Sequence, residues 1–231
     1  SGALTKTGAG TLVLSGVNTY GGGTTVTGGV VSINNASALG SGAMSIGNAE
    51  LRATSSMDLA TSLNLSGPAT VSAVNGVTLR LTGSIGFTRD LTIGGMGRAG
   101  TVEIASTGGV ASPTSNLVVA AGTARAGSGV LSILTNIAAS TTVASGAVLD
   151  MNDNIGFAVK NLQGAGIVRT GALDTTSLRV DAGDFSGAIQ GAGALQKTGT
   201  GTLALRGAST YHGNTGVAGG TPAATRICGL N

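Results

Sequence analysis

Apolar and polar residues alternate along this chain in short runs, most of which are closed by glycine, asparagine, aspartate or serine. In one such run, Leu12 and Leu14 would face one side of an extended segment, and Thr11 and Val13 the other. A period of two with β-branched residues and flanking turn residues predicts a β-strand, whereas helical periodicity is almost absent. The runs predicted as strands are 11–16, 29–35, 43–48, 50–56, 62–67, 70–76, 77–83, 91–95, 101–107, 116–122, 129–136, 147–153, 166–171, 177–183 and 202–207.

Many short strands with glycine-rich turns are compatible with a sandwich, a barrel or a solenoid. The inward positions hold mostly single Leu, Val or Ile residues between small residues, so one unit buries little apolar surface alone. Stacked units, in contrast, form a continuous core. We therefore expect an all-β, single-stranded parallel β-helix of roughly ten coils of about 20–25 residues, which makes a rod about 50 Å long. An antiparallel sandwich is the alternative.

The composition narrows the classes of partner. Charged residues make up only 9% of the chain, aromatic residues 2% and apolar residues 41%. Frequent β-branched residues argue against disorder. The 12 Lys and Arg residues are spread singly, so the net charge of +3 forms no basic patch and we expect no nucleic-acid partner. No run of 18 apolar residues occurs, which predicts that the chain does not span a membrane as a helix.

The cysteine count and the first residues bear on whether the chain is part of a longer, processed protein. Cys228 is the only cysteine in the sequence, so no intrachain disulfide is expected. The first residues include no initiator Met and no basic region followed by an apolar run, so no signal peptide is expected there. These features favour an excised or processed piece of a longer protein.

One stretch of the chain occurs twice. Residues 3–26 and 194–217 agree at 15 of 24 positions when they are aligned at an offset of 191. A catalytic motif usually needs one copy, whereas a structural unit that stacks needs several. Neither copy carries an obvious acid, base or metal ligand, apart from His212, which Gly21 replaces in the first copy.

Segments 8–33 and 184–215 resemble the passenger-associated β-strand repeat of bacterial autotransporters. The family phrase runs F-x-G-x-I-x-G-x-G-x-L-x-K-x-G-x-G-x-L-x-L-x-G-x-N-x-Y-x-G-x-T, and Ser209 replaces its Asn, which Asn18 supplies in the first copy. The repeat residues singled out here are Lys6, Gly8, Gly10, Leu12, Leu14, Gly16, Tyr20, Phe185, Lys197, Gly199, Gly201, Leu203, Leu205, Gly207 and Tyr211. We expect the leucines to fill the coil interior, and Tyr20 and Tyr211 to cover a turn or an end of the stack. Gly8, Gly10 and Gly16 are expected at turns that need a positive φ.

The resemblance implies a right-handed parallel β-helix, displayed on a Gram-negative cell surface and exported through a C-terminal outer-membrane barrel of the parent chain. Residues 1–220 would form the passenger segment, with repeat copies at 3–33 and 184–217. Residues 221–231 depart from the family, because Pro222 stands where Leu is expected. This tail is expected to be disordered, or altered by a frameshift or truncation.

The function implied is that of a structural stalk that supports secretion and contributes to adhesion or autoaggregation. Its partners would be the parent's barrel and a host matrix or cell-surface ligand, or a second copy. No cofactor, metal or catalytic residue is expected. The alternative is a β-helical polysaccharide lyase or glycoside hydrolase.

Two motifs can be interpreted either as ligand-binding sites or as purely structural segments. Residues 95–100 spell G-x-G-x-x-G, but a dinucleotide site needs a helix next, and a strand is predicted there. Asp150, Asn152 and Asn154 begin like a calcium loop that lacks its Gly and distal Glu, so a turn bonded by Asx side chains is expected.

The enzyme alternative depends on acidic residues. Asp181 and Asp184 are candidate paired carboxylates for general acid–base chemistry. This interpretation requires that they converge with Asp150 and Asp153 in one groove beside a basic residue. His212 lies where the first copy has glycine, so a ligand or base is not expected there, and Cys228 lacks a partner suited to nucleophilic catalysis.

Overall fold

The computed structural model describes residues 2–106, 108–111, 114–127, 139–220 and 222–224. They form a parallel β-solenoid of about nine turns without a helix. Every pairing between strands in these ranges is parallel, which confirms the predicted solenoid. The alternative of an antiparallel sandwich is wrong, because each strand pairs with a strand one turn away rather than with its neighbour in sequence.

The strands, numbered along the chain, form three sheets that we call A, B and C. Sheet A contains β1 (Leu4–Lys6), β3 (Thr24–Val26), β5 (Met44–Ile46), β8 (Leu63–Leu65), β11 (Ile85–Phe87) and β14 (Gly109–Ala111). Sheet C contains β7 (Met57–Leu59), β10 (Thr78–Leu81), β13 (Thr101–Ile104), β16 (Thr123–Ala126), β18 (Val148–Asp150), β20 (Ile167–Arg169), β22 (Ala188–Gly191) and β25 (Thr210–Tyr211).

Sheet B is the largest of the three. It contains β2 (Thr11–Leu14), β4 (Gly29–Ile33), β6 (Ala49–Ala53), β9 (Ala69–Ala73), β12 (Leu91–Ile93), β15 (Asn116–Val119), β17 (Ser140–Val143), β19 (Phe157–Gly164), β21 (Ser177–Phe185), β23 (Ala194–Lys197), β24 (Leu203–Leu205), β26 (Thr215–Val217) and β27 (Pro222–Ala224). The nine-residue β21 pairs with β23 through its first half and with β24 through its second half. It therefore contributes to two faces of one turn.

The length of a turn varies along the stack. Leu178 pairs with Leu195 and Leu91 with Leu117, so a turn takes between 17 and 26 residues. The longest turn contains the loop 94–100 between β12 and β13. This range includes the predicted coil length.

The core consists of columns of apolar side chains that repeat at the same place in successive turns. Phe185 is fully buried and stacks on Gly164, which leaves room for the ring. Side chains at alternate positions face outward, so that in β10 Leu79 and Leu81 are buried and Arg80 lies on the surface. One column in sheet B runs through Leu12, Val31, Leu51, Val71, Ile93, Val119, Val143, Gly164, Phe185 and Leu205.

Three residues of the predicted tail lie within the described ranges, as β27. β27 pairs with β24 in parallel, so Pro222 begins another strand of the stack. The predicted strand at 129–136, and the tail residues 221 and 225–231 with Cys228, lie outside the described residues.

Candidate functional site

Two lysines of the repeat lie at inward positions of the solenoid. The side chain of Lys197 stacks between Val180 and Val217, and only 2% of the residue is exposed. Lys6 occupies the same position above Val26 in the first turn, where it is half-buried. A buried ammonium group is costly unless it is compensated by hydrogen bonds, so the surroundings of each nitrogen are informative.

Backbone carbonyl groups surround both ammonium groups. The Nζ atom of Lys197 donates to the carbonyl oxygen of Thr198, to that of Gly199 at 3.0 Å and to that of Gly219 in the next turn at 3.1 Å. We call each of these arrangements a lysine cage. The three donors of the ammonium group are matched by three acceptors, so each cage ties a corner of one turn to the corner of the following turn.

The cage of Lys6 has the same composition. Its Nζ atom donates to the carbonyl oxygens of Thr7 at 2.9 Å, Gly8 at 2.7 Å and Gly28 at 3.1 Å. The two copies of the repeat thus build one structural unit twice, at opposite ends of the described stack. The sequence places both lysines in the repeat but does not identify their hydrogen-bond acceptors. The acceptors are backbone carbonyl groups, which no residue type marks in a sequence.

The repeat contains glycine for two different structural reasons, a positive φ angle and a close approach of backbones. Gly8 and Gly199 adopt positive φ angles of 72° and 60° beside the lysine cages. Gly10 and Gly16 do not, so the prediction of a positive φ at those two positions is wrong. A Cβ atom at Gly207 would meet the carbonyl group of Gly187 in the preceding turn, so close stacking of backbones requires this glycine.

The leucines and tyrosines of the repeat lie as follows. Leu203 and Leu205 are buried, whereas Leu12 and Leu14 are half-buried in the first turn. The Tyr211 hydroxyl group lies 2.7 Å from the Oγ1 atom of Thr215, and that of Tyr20 lies 3.1 Å from the same atom of Thr24. Gly201 packs against Ala182. A Cβ atom added at Gly201 would lie 2.7 Å from the methyl group of Ala182.

A column of alternating charges runs along the outer face of sheet C. Residues of opposite sign occupy the same outward position on six successive strands, and we call this column the charge ladder. Its members in stacking order are Asp58, Arg80, Glu103, Arg125, Asp150 and Arg169. Strands in a sheet are about 4.8 Å apart, so the ladder spans about 24 Å.

Ion pairs connect most neighbouring members of the ladder. Arg80 contacts Asp58 at 3.2 Å and Glu103 at 2.9 Å, and Arg125 contacts Asp150 at 3.2 Å. The side chain of Arg169 makes no ion pair with another described residue. It lines a groove of about 290 Å³ with neighbours that include Asp150 and Gln190.

A second charged cluster surrounds Glu50 on sheet B. Arg52 donates from two nitrogens to the carboxylate at 3.1 Å, Ser72 donates at 2.6 Å, and Arg98 contacts it at 2.9 Å. Burial raises the pKa of Glu50, but hydrogen bonds from Arg52 and Ser72 and the charges of Arg52 and Arg98 lower the pKa below its ordinary value. The carboxylate is therefore held ionised.

The G-x-G-x-x-G segment is the loop that carries Arg98 to this cluster. It connects β12 to β13, so a strand follows it, as the sequence predicts. Gly95 and Arg98 form an isolated antiparallel bridge, and Met96 at the tip is 96% exposed. The structural interpretation of this motif is supported by the contact of Arg98 with Glu50.

The segment with Asp150, Asn152 and Asn154 forms a turn that is bonded by its own side chains. The backbone nitrogen of Asn152 donates to Asp150 Oδ1 at 2.9 Å. The side-chain amide of Asn154 donates to the carbonyl oxygens of Met151 at 2.7 Å and Gly127 at 2.9 Å. The predicted Asx turn is confirmed, and it also ties adjacent turns together.

The four aspartates required by the enzyme alternative do not share one groove. Asp150 belongs to the ladder on sheet C, and Asp153 accepts the backbone nitrogens of Ala172 and Leu173 at 2.6 and 2.9 Å. The other two, Asp181 and Asp184, lie on β21 of sheet B. There Thr198 donates to Asp181 at 2.5 Å, and Arg206 donates to both oxygens of Asp184 at 2.6 and 3.0 Å.

Other candidate chemistry is limited in the described part of the chain. His212 is exposed, and its backbone nitrogen donates to the carbonyl oxygen of Gly191 at 2.9 Å. Among the described residues no group of three or more His, Cys, Asp or Glu residues is arranged to hold a metal ion. The described ranges also contain no helix of the length and apolarity needed to cross a membrane.

Comparison with known families identifies both copies of the repeat. Residues 4–33 and 195–221 match the model of the passenger-associated-transport-repeat family, which is a repeat of autotransporter passengers. The first match agrees with the predicted copy at 3–33. The second begins after Phe185 and extends to 221, so it includes the glycines that close the second lysine cage. Comparisons with curated proteins and with solved structures give no match.

Proposed function

We propose that this chain is a stalk segment of an autotransporter passenger that supports secretion and is displayed on the bacterial cell surface. The observation that carries the proposal is the pair of family matches at residues 4–33 and 195–221, placed in a parallel β-solenoid. In this proposal the parent chain supplies the outer-membrane barrel. The segment itself supplies length and rigidity.

The lysine cages suggest how the repeat supports secretion. A cage is complete only when the following turn is in place, since Gly28 and Gly219 lie 22 residues after Lys6 and Lys197. At these two places, folding of the following turn therefore satisfies the ammonium group of its neighbour. A folded turn opposes backward movement through a pore, so stepwise folding favours export.

Deletion of whole turns in the parent protein tests this proposal. Removal of residues 4–23 deletes one repeat turn, since Leu4 pairs with Thr24, and leaves the remaining strands in register. Removal of 44–62 deletes a turn without a lysine cage, since Met44 pairs with Leu63. We expect the first deletion to lower the ratio of surface-exposed to total protein more than the second. Equal ratios in both deletions and the parent contradict a secretion role for the repeat.

Adhesion or autoaggregation is the second part of the proposal. Sheet faces that carry few charges, and a charge ladder whose signs sum to zero, are suited to contact with another extended surface. Cells that display the parent should settle faster and attach more than cells that do not display it. No difference between cells with and without any displayed parent contradicts an adhesive function.

A further inference from the structure

We propose that the charge ladder on sheet C is a docking surface for a second copy of this chain in antiparallel orientation. This inference deepens the proposed self-association and rests on it. It concerns the isolated chain, so its failure leaves the proposed role in secretion untouched.

The order of the charges selects the second copy as the partner. The ladder reads negative, positive, negative, positive, negative, positive from Asp58 to Arg169. When the ladder is read from Arg169 to Asp58, the charge at every position has the opposite sign. An antiparallel copy therefore places Asp58 opposite Arg169, Arg80 opposite Asp150, and Glu103 opposite Arg125, each twice about a two-fold axis. A parallel copy in the same register places like charges together.

The two ends of the ladder have the greatest capacity for new contacts. The Asp58 side chain is 66% exposed and contacts Arg80 alone among the described cations. Arg169 is exposed and makes no ion pair within the described residues. In the antiparallel pair these two residues meet at both ends of the interface. The inner acids are less accessible, since Glu103 and Asp150 are 14% and 10% exposed.

The residues beside the ladder do not oppose this docking. The neighbouring outward row of sheet C carries no charge and is half-buried. Its members are Thr78, Thr101, Thr123, Val148, Ile167 and Ala188. Because this row carries no charge, it adds no like-charge repulsion to the approach of a second sheet face.

The small face predicts a weak association. A ladder about 24 Å long covers less than the roughly 800 Å² per partner of standard stable interfaces. Electrostatic contacts of this kind weaken with salt, because the Debye length falls from about 30 Å at 0.01 M to about 3 Å at 1 M. Many copies arrayed on one surface raise the effective concentration, so a weak contact suffices there.

Charge reversal tests the orientation of the pair. The isolated chain should form dimers in sedimentation velocity at low ionic strength that dissociate in 1 M salt. Asp58→Arg or Arg169→Glu alone should weaken the dimer about tenfold or more, because each places like charges opposite each other at both ends. The double variant Asp58→Arg/Arg169→Glu should restore it. Lys160→Glu, which makes the same change of charge as Arg169→Glu but away from the ladder, should have no effect.

Other outcomes overturn the proposal. These are a chain that stays monomeric at low ionic strength, a dimer that both single variants leave unchanged, and a double variant that remains as weak as the single variants. The last outcome would indicate parallel pairing or an effect within one chain. Circular dichroism establishes that each variant is folded. If Asp58→Arg does not fold, Asp58→Asn removes the charge without adding one and should weaken the dimer in the same direction.

Discussion

Lys6 and Lys197, which are 191 positions apart in the sequence, hold their ammonium groups in the same arrangement of backbone carbonyls. In each case the Nζ atom lies 3.1 Å from a glycine carbonyl oxygen in the following turn. The lysine therefore belongs to two turns at once, and its effect on stability should be measurable.

Lys197→Met should destabilise the solenoid. Methionine keeps most of the apolar stem but leaves three carbonyl groups without their donor, which costs about 1–3 kcal/mol. Urea unfolding followed by circular dichroism measures the change. Lys160→Met, at an exposed site, serves as the control and should change the free energy of unfolding by less than about 0.5 kcal/mol. A Lys197→Met variant as stable as the original chain would show that the cage does not contribute.

The two copies of the repeat offer a matched pair of glycines. Gly207→Ala should destabilise the chain by about 1–3 kcal/mol or more, because the new methyl group meets the backbone of Gly187. Gly16 is the equivalent residue in the first copy, where nothing lies within 4 Å of a Cβ atom. Gly16→Ala should therefore be nearly neutral in the same unfolding experiment. Equal losses at the two positions would argue against close stacking at Gly187.

The Glu50 cluster predicts a dependence of stability on pH. The folded pKa of Glu50 lies below its ordinary value of 4.5, so the unfolded chain binds the proton more readily. Its contribution is therefore complete above the unfolded pKa and is lost as the pH falls through the folded pKa. Between about pH 6 and pH 3, the original chain should lose more stability than Glu50→Gln. Parallel pH profiles for the two proteins would disprove this contribution.

The stacked architecture was predictable because two signals agree. Alternation marks individual strands, and the duplicated stretch marks a unit that stacks. Strands with weak alternation were missed, such as β16, where Ala124 and Ala126 occupy the buried positions. Alanine does not distinguish a strand from a turn in the sequence, and the neighbouring turns determine its conformation.

The charge ladder was not predictable from the sequence alone. Its members are separated by intervals that vary with the loops, from 19 residues between Asp150 and Arg169 to 25 between Arg125 and Asp150. Without the register of the strands, these residues appear isolated. The register comes from backbone pairing over the whole stack, and so does the cage around each lysine.

Surface display of the parent protein tests the central claim most directly, namely that stacking of the repeat turns supports export. The parent should carry Lys6→Met and Lys197→Met together, with Lys160→Met as the control. The ratio of protease-accessible surface protein to total protein measures export. We predict a lower ratio for the double variant, at unchanged total protein, and no change for the control. An unchanged ratio in a double variant that is measurably less stable would contradict the account.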